Sequence, residues 1–400
     1  MEHIFTVAFV WLGLAVISAI MAYHLKISIA LVEICVGILA AAIAARMGLM
    51  ELLGPNQEWL RFLASSGAVL LTFLAGAELD PEVIRTKWQE VSVVGLIGFL
   101  VPFFGCAAVA RFLLHWSPRA SLLCGVALST TSMAVVYAVM LETGLNKTEF
   151  GKGILGACFV NDLGTVIALG LLFAPFTFRT LIFVAVMAAA LWAMPHLTQW
   201  LTKIYAYRTA AIRTKWVILT VFGLGALALW SGSEAVLPAY LIGMVLAEFS
   251  GADTFWIRRL RTLTVGFLTP FYFIRAGSLV SLPALVSAPL VFLALLLSKV
   301  ASKIFGLFPV VSRFRQERHE RWYYTLLMST GLTFGTISAL YGYSHGIIDA
   351  GQYSFLVAVV IASAVVPTLI AGYAFLPKHL LPEVKPEMGV LPEEDLEEEG

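Results

Sequence analysis

The 400-residue chain is 60% hydrophobic and 13% charged, with 26 Lys and Arg against 25 Asp and Glu for a formal net charge of +1. Soluble domains carry about a quarter charged residues, so a water-soluble enzyme or a nucleic-acid-binding protein is excluded. What remains is an all-α polytopic membrane protein.

Apolar stretches able to cross a hydrocarbon layer of about 30 Å as helices recur at 4–23, 27–47, 60–79, 90–113, 119–141, 152–174, 181–200, 215–231, 235–249, 262–280, 283–308, 322–342 and 352–376. Thirteen transmembrane helices are therefore predicted. The first follows Met1-Glu2-His3 with no basic region before it and no small-residue cleavage site before Lys26, which predicts a retained helix and not a signal peptide. Of the 26 basic residues, 18 fall in odd-numbered connections or the C-terminal segment, five in even-numbered connections and three inside spans. The positive-inside rule then places the N-terminus outside and the C-terminus in the cytoplasm of a plasma membrane of bacterial type. Cys35, Cys106, Cys124 and Cys158 lie inside spans without metal or disulfide spacing and read as small packing residues. Residues 377–400 form an acidic tail, expected to be solvated.

The two halves resemble each other. Phe73-Leu-Ala-Gly-Ala-Glu-Leu-Asp-Pro81 in the third span matches Phe273-Ile-Arg-Ala-Gly-Ser-Leu279 in the tenth. Leu128-Ser-Thr-Thr-Ser132 in the fifth matches Met328-Ser-Thr-Gly-Leu332 in the twelfth, and Ile34-Cys-Val-Gly-Ile-Leu-Ala40 in the second matches Leu241-Ile-Gly-Met-Val-Leu-Ala247 in the ninth. Each pair is seven spans apart, an odd number, so its members cross in opposite senses. That is the mark of inverted-topology repeats in transporters, here 1–174 and 215–376 joined by a linking helix at 181–200, all within a transmembrane domain of 1–376.

Ser129, Thr130, Thr131 and Ser132 in the fifth span, and Ser329, Thr330 and Gly331 in the twelfth, interrupt their helices near the middle. Broken helices at membrane depth are tolerated where freed backbone groups line a cavity, and such groups bind ions. The alternative for these hydroxyls is to bond the carbonyl one turn back and help the helices pack.

Asn161-Asp162 sits in the middle of the apolar run 153–173. A carboxylate at that depth costs at least ~2.5 kcal/mol, and residues that bear the cost face a cavity or a partner, so Asp162 is the candidate carrier of a cation or proton. The other intramembrane charges are Glu33, Arg275, Lys299 and Lys303. Lys303 can snorkel to an interface, Arg275 can neutralise an acid, and Lys299 is either a functional base or a bystander. A dehydrated carboxylate among hydroxyls and carbonyls is a hard oxygen site for a monovalent cation. It also takes a proton, so the two compete for one group, which suffices for exchange. No His or Cys set accompanies Asp162 as a soft or multivalent metal would require.

These motifs resemble the monovalent cation:proton antiporter superfamily, in the branch containing Kef-type potassium/proton and bacterial sodium/proton exchangers. The resemblance runs along all thirteen spans. It is carried by Phe73-to-Pro81, by Asn161-Asp162, by Phe271-Tyr-Phe-Ile-Arg-Ala-Gly277, which is similar to the family's F-F-x-x-x-G, and by Lys303-Ile-Phe-Gly306 with Arg313. It implies a core domain in which spans 5 and 12 cross as broken helices, moving like an elevator against a dimerisation domain in a homodimer. It implies Asp162 as shared carrier of protons and sodium or potassium, with no cofactor and no enzymatic activity. Asn161 stands where electrogenic members carry Asp, implying electroneutral exchange. Arg275 within F-F-x-x-x-G, and Lys303 where electroneutral members often carry Arg, are departures. The cytoplasmic nucleotide-binding domain of many Kef-type relatives is not expected within these 400 residues.

Two other functions suit the architecture: a sodium-coupled symporter of an organic anion, which wants a roomier polar site, and a cation channel. An intramembrane aspartyl protease would need a second aspartate and a G-x-G-D motif, and Asp162 follows Val160-Asn161.

Overall fold

The computed structural model describes residues 2–25, 29–77, 85–145, 148–173, 177–205, 211–233, 235–252 and 254–381. Glu78, Leu79, Asp80 and Pro81 of the repeated motif, the basic residues Lys26, Lys147, Arg208 and Lys385, and the acidic tail from 382 onward lie outside the described residues.

The described chain is helical: α1 (Glu2–Leu25), α2 (Ile29–Met47), α3 (Met50–Leu53), α4 (Glu58–Ala77), α5 (Trp88–Ala108, running into a π turn at Val109–Leu113), α6 (Pro118–Ser129), α7 (Met133–Thr143), α8 (Glu149–Phe173), α9 (Phe178–Tyr205) and α10 (Ile212–Ser231). The remainder is α11 (Val236–Val245), α12 (Ala247–Ala252), α13 (Thr254–Leu263, continuing through a π turn at Thr264–Leu268), α14 (Thr269–Ser278), α15 (Leu282–Ser287), α16 (Pro289–Phe314), α17 (Arg318–Leu327), α18 (Thr333–Ser344) and α19 (Ala350–Ala374). Among the described residues, nine helices are long and apolar enough to cross a membrane. Side-chain chemistry sets several of the starts. Ser117 accepts from the Ala120 amide with Pro118 in the first turn, and Asp349 and Gln352 form a reciprocal capping box on α19.

The helices sort into two packed groups. In one, α2 lies along α14 and α4 along α11; in the other, α5 runs between α6, α8 and α16. Glycines make the first group possible. A Cβ at Gly37 would strike the carbonyl oxygen of Ile274, and one at Gly277 that of Ile34; likewise Gly76 faces Tyr240 and Gly243 faces Phe73. In lipid, where apolar side chains gain nothing by leaving a solvent, such close backbone approach supplies the packing energy. The two pairs repeat one pattern, each glycine resting on the carbonyl three residues before its partner's glycine. The pattern aligns Gly37 with Gly243 and Gly76 with Gly277, one residue away from the register read from sequence similarity.

The second group is tied at one end by Arg315, whose Nε and Nη2 both donate to Glu90 Oε1 at 3.0 and 2.7 Å, with its guanidinium 5.1 Å from the centre of the Phe150 ring. Tyr324 completes this end by donating to the Gly153 carbonyl at 3.2 Å.

Candidate functional site at two helix interruptions

The interruptions foreseen in the fifth and twelfth spans are present as ends and restarts of helix. α6 stops at Ser129 and α7 starts at Met133; α17 stops at Leu327 and α18 starts at Thr333. Thr130 is extended, with φ −62° and ψ 151°. Each stop exposes carbonyls with a partial negative charge and each restart exposes amides.

Thr131 joins the two interruptions to each other and to α8. Its amide donates to Asn161 Oδ1 at 3.0 Å, and its hydroxyl donates to the Met328 carbonyl at 2.8 Å. That same hydroxyl accepts from Lys303 Nζ at 2.9 Å, while Lys299 Nζ donates to the Thr130 carbonyl at 3.2 Å. A weaker link runs from the Ser132 amide to Thr330 Oγ1 at 3.4 Å. A Cβ at Gly331 would fall on the Lys299 ammonium and displace it. Lys303 is fully buried and does not snorkel, so that expectation is corrected. Lys299 thus faces the carbonyl end of α6, where a cation is favourable, and Lys303 faces the Thr131 hydroxyl that bridges the two interruptions.

The remaining hydroxyls follow the packing alternative. Ser129 and Thr130 donate to Val126 and Ala127 at 2.9 and 3.0 Å, and Ser329 and Thr330 to Thr325 and Leu327 at 2.7 and 2.8 Å, each within its own helix. Their lone pairs stay available as acceptors.

Asn161 and Asp162 are buried, and among the described residues neither Asn161 Nδ2 nor Asp162 Oδ1 has a hydrogen-bond partner. A buried carboxylate oxygen without a donor is costly and fits a group meant to receive a proton or a bare cation. Tyr240 of α11 closes on the same stretch of α8, stacking on Phe159 at 5.3 Å and donating to its carbonyl at 3.0 Å. Sequence reading missed Tyr240, since a tyrosine in an apolar span carries no signal until its neighbours are known.

Two candidates lie elsewhere. Arg275 is buried, but its Nε donates to the Pro55 carbonyl at 2.8 Å and not to an acid. Glu33 is buried beside a separate cavity. The site therefore consists of Asn161, Asp162, Thr131, Lys299 and Lys303, with Ser132 and Thr330 at its edge.

A buried carboxylate beside the point where two interrupted transmembrane helices meet is an arrangement suited to moving an ion across a membrane. The chain belongs to the sodium/hydrogen exchanger transmembrane family, whose sequence profile matches residues 12–375, and it is a membrane antiporter of the monovalent cation:proton superfamily. It is 24% identical to the probable Na(+)/H(+) antiporter 3 of Methanocaldococcus jannaschii, covering 80% of this chain and 85% of that one. It is 24% identical to the Na(+)/H(+) antiporter of Enterococcus hirae, covering 77% and 82%. To the glutathione-regulated potassium-efflux system protein KefC of an Enterobacter strain it is 23% identical, covering 85% of this chain but 59% of that longer one. Its fold matches the solved structure of the sodium proton antiporter MjNhaP1 from Methanocaldococcus jannaschii at pH 8 with a TM-score of 0.66 at 15% identity, over 94% and 98% of the two chains.

Proposed function

We propose that the chain is a homodimeric secondary antiporter in which Asp162 carries, in turn, a proton and a sodium or potassium ion between the two faces of the membrane by an elevator-like movement. The observation that carries this reading is the unpartnered Asp162 oxygen beside Asn161, next to two helix interruptions held open by Lys299 and Lys303. A bare carboxylate pays a desolvation cost of several kcal/mol in low dielectric, whereas one neutralised by a proton or cation does not. Only the loaded carrier moves, and exchange follows without a further coupling device.

In this mechanism spans 5 and 12 are the interrupted pairs α6/α7 and α17/α18, and they cross at Thr131. With the nine long helices, α11–α12 and α13–α14, they make up thirteen spans. The reciprocal glycine contacts favour inverted repeats at 1–174 and 215–376 joined by the helix at 181–200, with the α2–α14 and α4–α11 pairs as the stationary dimerisation side. The N-terminus lies outside and the C-terminus in the cytoplasm, as basic-residue placement favours.

Proteoliposomes with a trapped proton gradient, reported by a pH-sensitive dye, test the reading. Addition of sodium or potassium chloride should collapse the gradient, and an imposed membrane voltage should leave the rate unchanged for a one-for-one exchange. A gradient indifferent to every alkali chloride would refute antiport.

Asn161→Asp probes the stoichiometry. The new carboxylate still accepts from the Thr131 amide, so the fold is retained, and a second acid beside Asp162 adds a charge to the carrier. Exchange should become sensitive to voltage; a rate unmoved by imposed potential would count against Asn161 as the determinant.

A further inference from the structure

Away from Asp162 lies a cavity of about 600 Å³, lined by the first residues of α2, the end of α7, the second half of α19, and parts of the α13–α14 run. It reaches Val135 and Thr333, just past the two interruptions. Its lining is mostly apolar and contains one carboxylate, Glu33, which is 2% exposed. Among the described residues Glu33 has no hydrogen-bond or ion-pair partner.

Three lining threonines are committed in one direction. Thr143, Thr269 and Thr368 donate to Val139, Val265 and Ala364 of their own helices at 2.9, 3.2 and 2.7 Å. They therefore offer lone pairs to the cavity, not protons, and cannot satisfy a carboxylate. A cation can use both the carboxylate and the hydroxyl oxygens, which are the hard ligands an alkali ion takes.

The glycine register sharpens the point. With Gly37 aligned to Gly243 and Gly76 to Gly277, the counterpart of Glu33 is Ala239 and that of Arg275 is Leu74. Both charges thus break the internal symmetry. Glu33 faces the cavity where α2 starts, whereas Arg275 donates to the Pro55 carbonyl and is not among the cavity's lining residues.

We propose that Glu33, with the hydroxyl oxygens of Thr143, Thr269 and Thr368, is a second binding site for the monovalent cation, present on one membrane face only, and gives the exchanger a higher cation affinity on that face. The inference rests on the antiport reading above.

The test uses the full chain with a tag after Gly400, which marks the face on which α19 ends and the cavity lies. Right-side-out and inside-out vesicles from the same cells are titrated with sodium and potassium chloride to obtain an apparent KM on each face. Glu33→Gln should raise the KM on the tagged face by about tenfold, leaving the maximal rate and the opposite-face KM within about twofold. Thr368→Val should raise the same KM by about threefold, and Glu33→Asp should stay near wild type. Equal rises on both faces, or an unchanged tagged-face KM, would overturn the site. If Glu33→Gln fails to elute as a folded species, Thr368→Val decides alone, and its unchanged KM overturns the proposal. Wild type inert to every alkali chloride would sink the antiport reading and this site together; active wild type with an indistinguishable Glu33→Gln would sink this site only.

Discussion

Asp162→Asn is expected to lower cation-driven proton exchange in proteoliposomes by about a hundredfold or more, at about 1.4 kcal/mol per factor of ten, while leaving the protein folded. The two side chains have nearly the same shape. Asp162 Oδ1 receives no hydrogen bond, so an amide there breaks no internal contact. What the amide cannot do is bind a proton reversibly or neutralise an alkali ion. The Lys303–Thr131–Met328 chain and the Lys299 contact to Thr130 do not pass through Asp162 and should hold the interruptions in place. The variant should therefore elute and melt like wild type yet leave a proton gradient intact when sodium or potassium chloride is added. Exchange within twofold of wild type would remove Asp162 from the mechanism, and a variant that loses both fold and exchange would make it a structural residue.

The core of the site was legible in the sequence because membrane depth makes a carboxylate conspicuous. Asp162 needed only its distance from both ends of an apolar run. The interruptions were legible for a related reason: hydroxyl and glycine residues cluster there, at 129–132 and 329–331, against non-helical segments of 130–132 and 328–332. Longer-range facts were not legible. That Arg315 pairs with Glu90, or Arg275 with the Pro55 carbonyl, depends on contacts more than 200 residues apart. Hydropathy also placed the start of the tenth span at 262, whereas the helical run begins at Thr254. Arg258, Arg259 and Arg261 depress the average there, but Trp256, Ile257 and Leu260 bury one face and carry the helix onward. The glycine contacts recur one residue away from the register read from the sequence, where apolar residues substitute freely for one another while only glycine permits carbonyl contact.

Those glycines support the second large effect. Gly37→Val, Gly277→Val, Gly76→Val and Gly243→Val should each destabilise the detergent-solubilised protein by about 1–3 kcal/mol or more, as overpacking against an unyielding neighbour does. The obstruction in every case includes a backbone carbonyl, so no rotamer change relieves it and the paired helices must separate. Gly13→Val and Gly223→Val are the matched controls, because a Cβ at either meets nothing within 4 Å. Thermal melting should then separate the four variants from the two controls. If the pairs are copies of one inverted unit, Gly37→Val should resemble Gly243→Val, and Gly76→Val should resemble Gly277→Val, within about 1 kcal/mol. Melting of Gly37→Val alongside Gly223→Val would refute the close approach, and a wide split between counterparts would refute their equivalence. The surviving folded fraction of Gly76→Val and Gly243→Val should exchange with wild-type apparent KM, because in the proposed mechanism α4 and α11 belong to the platform against which the Asp162 site moves; a KM that changed in step with stability would put this glycine pair in the ion path itself.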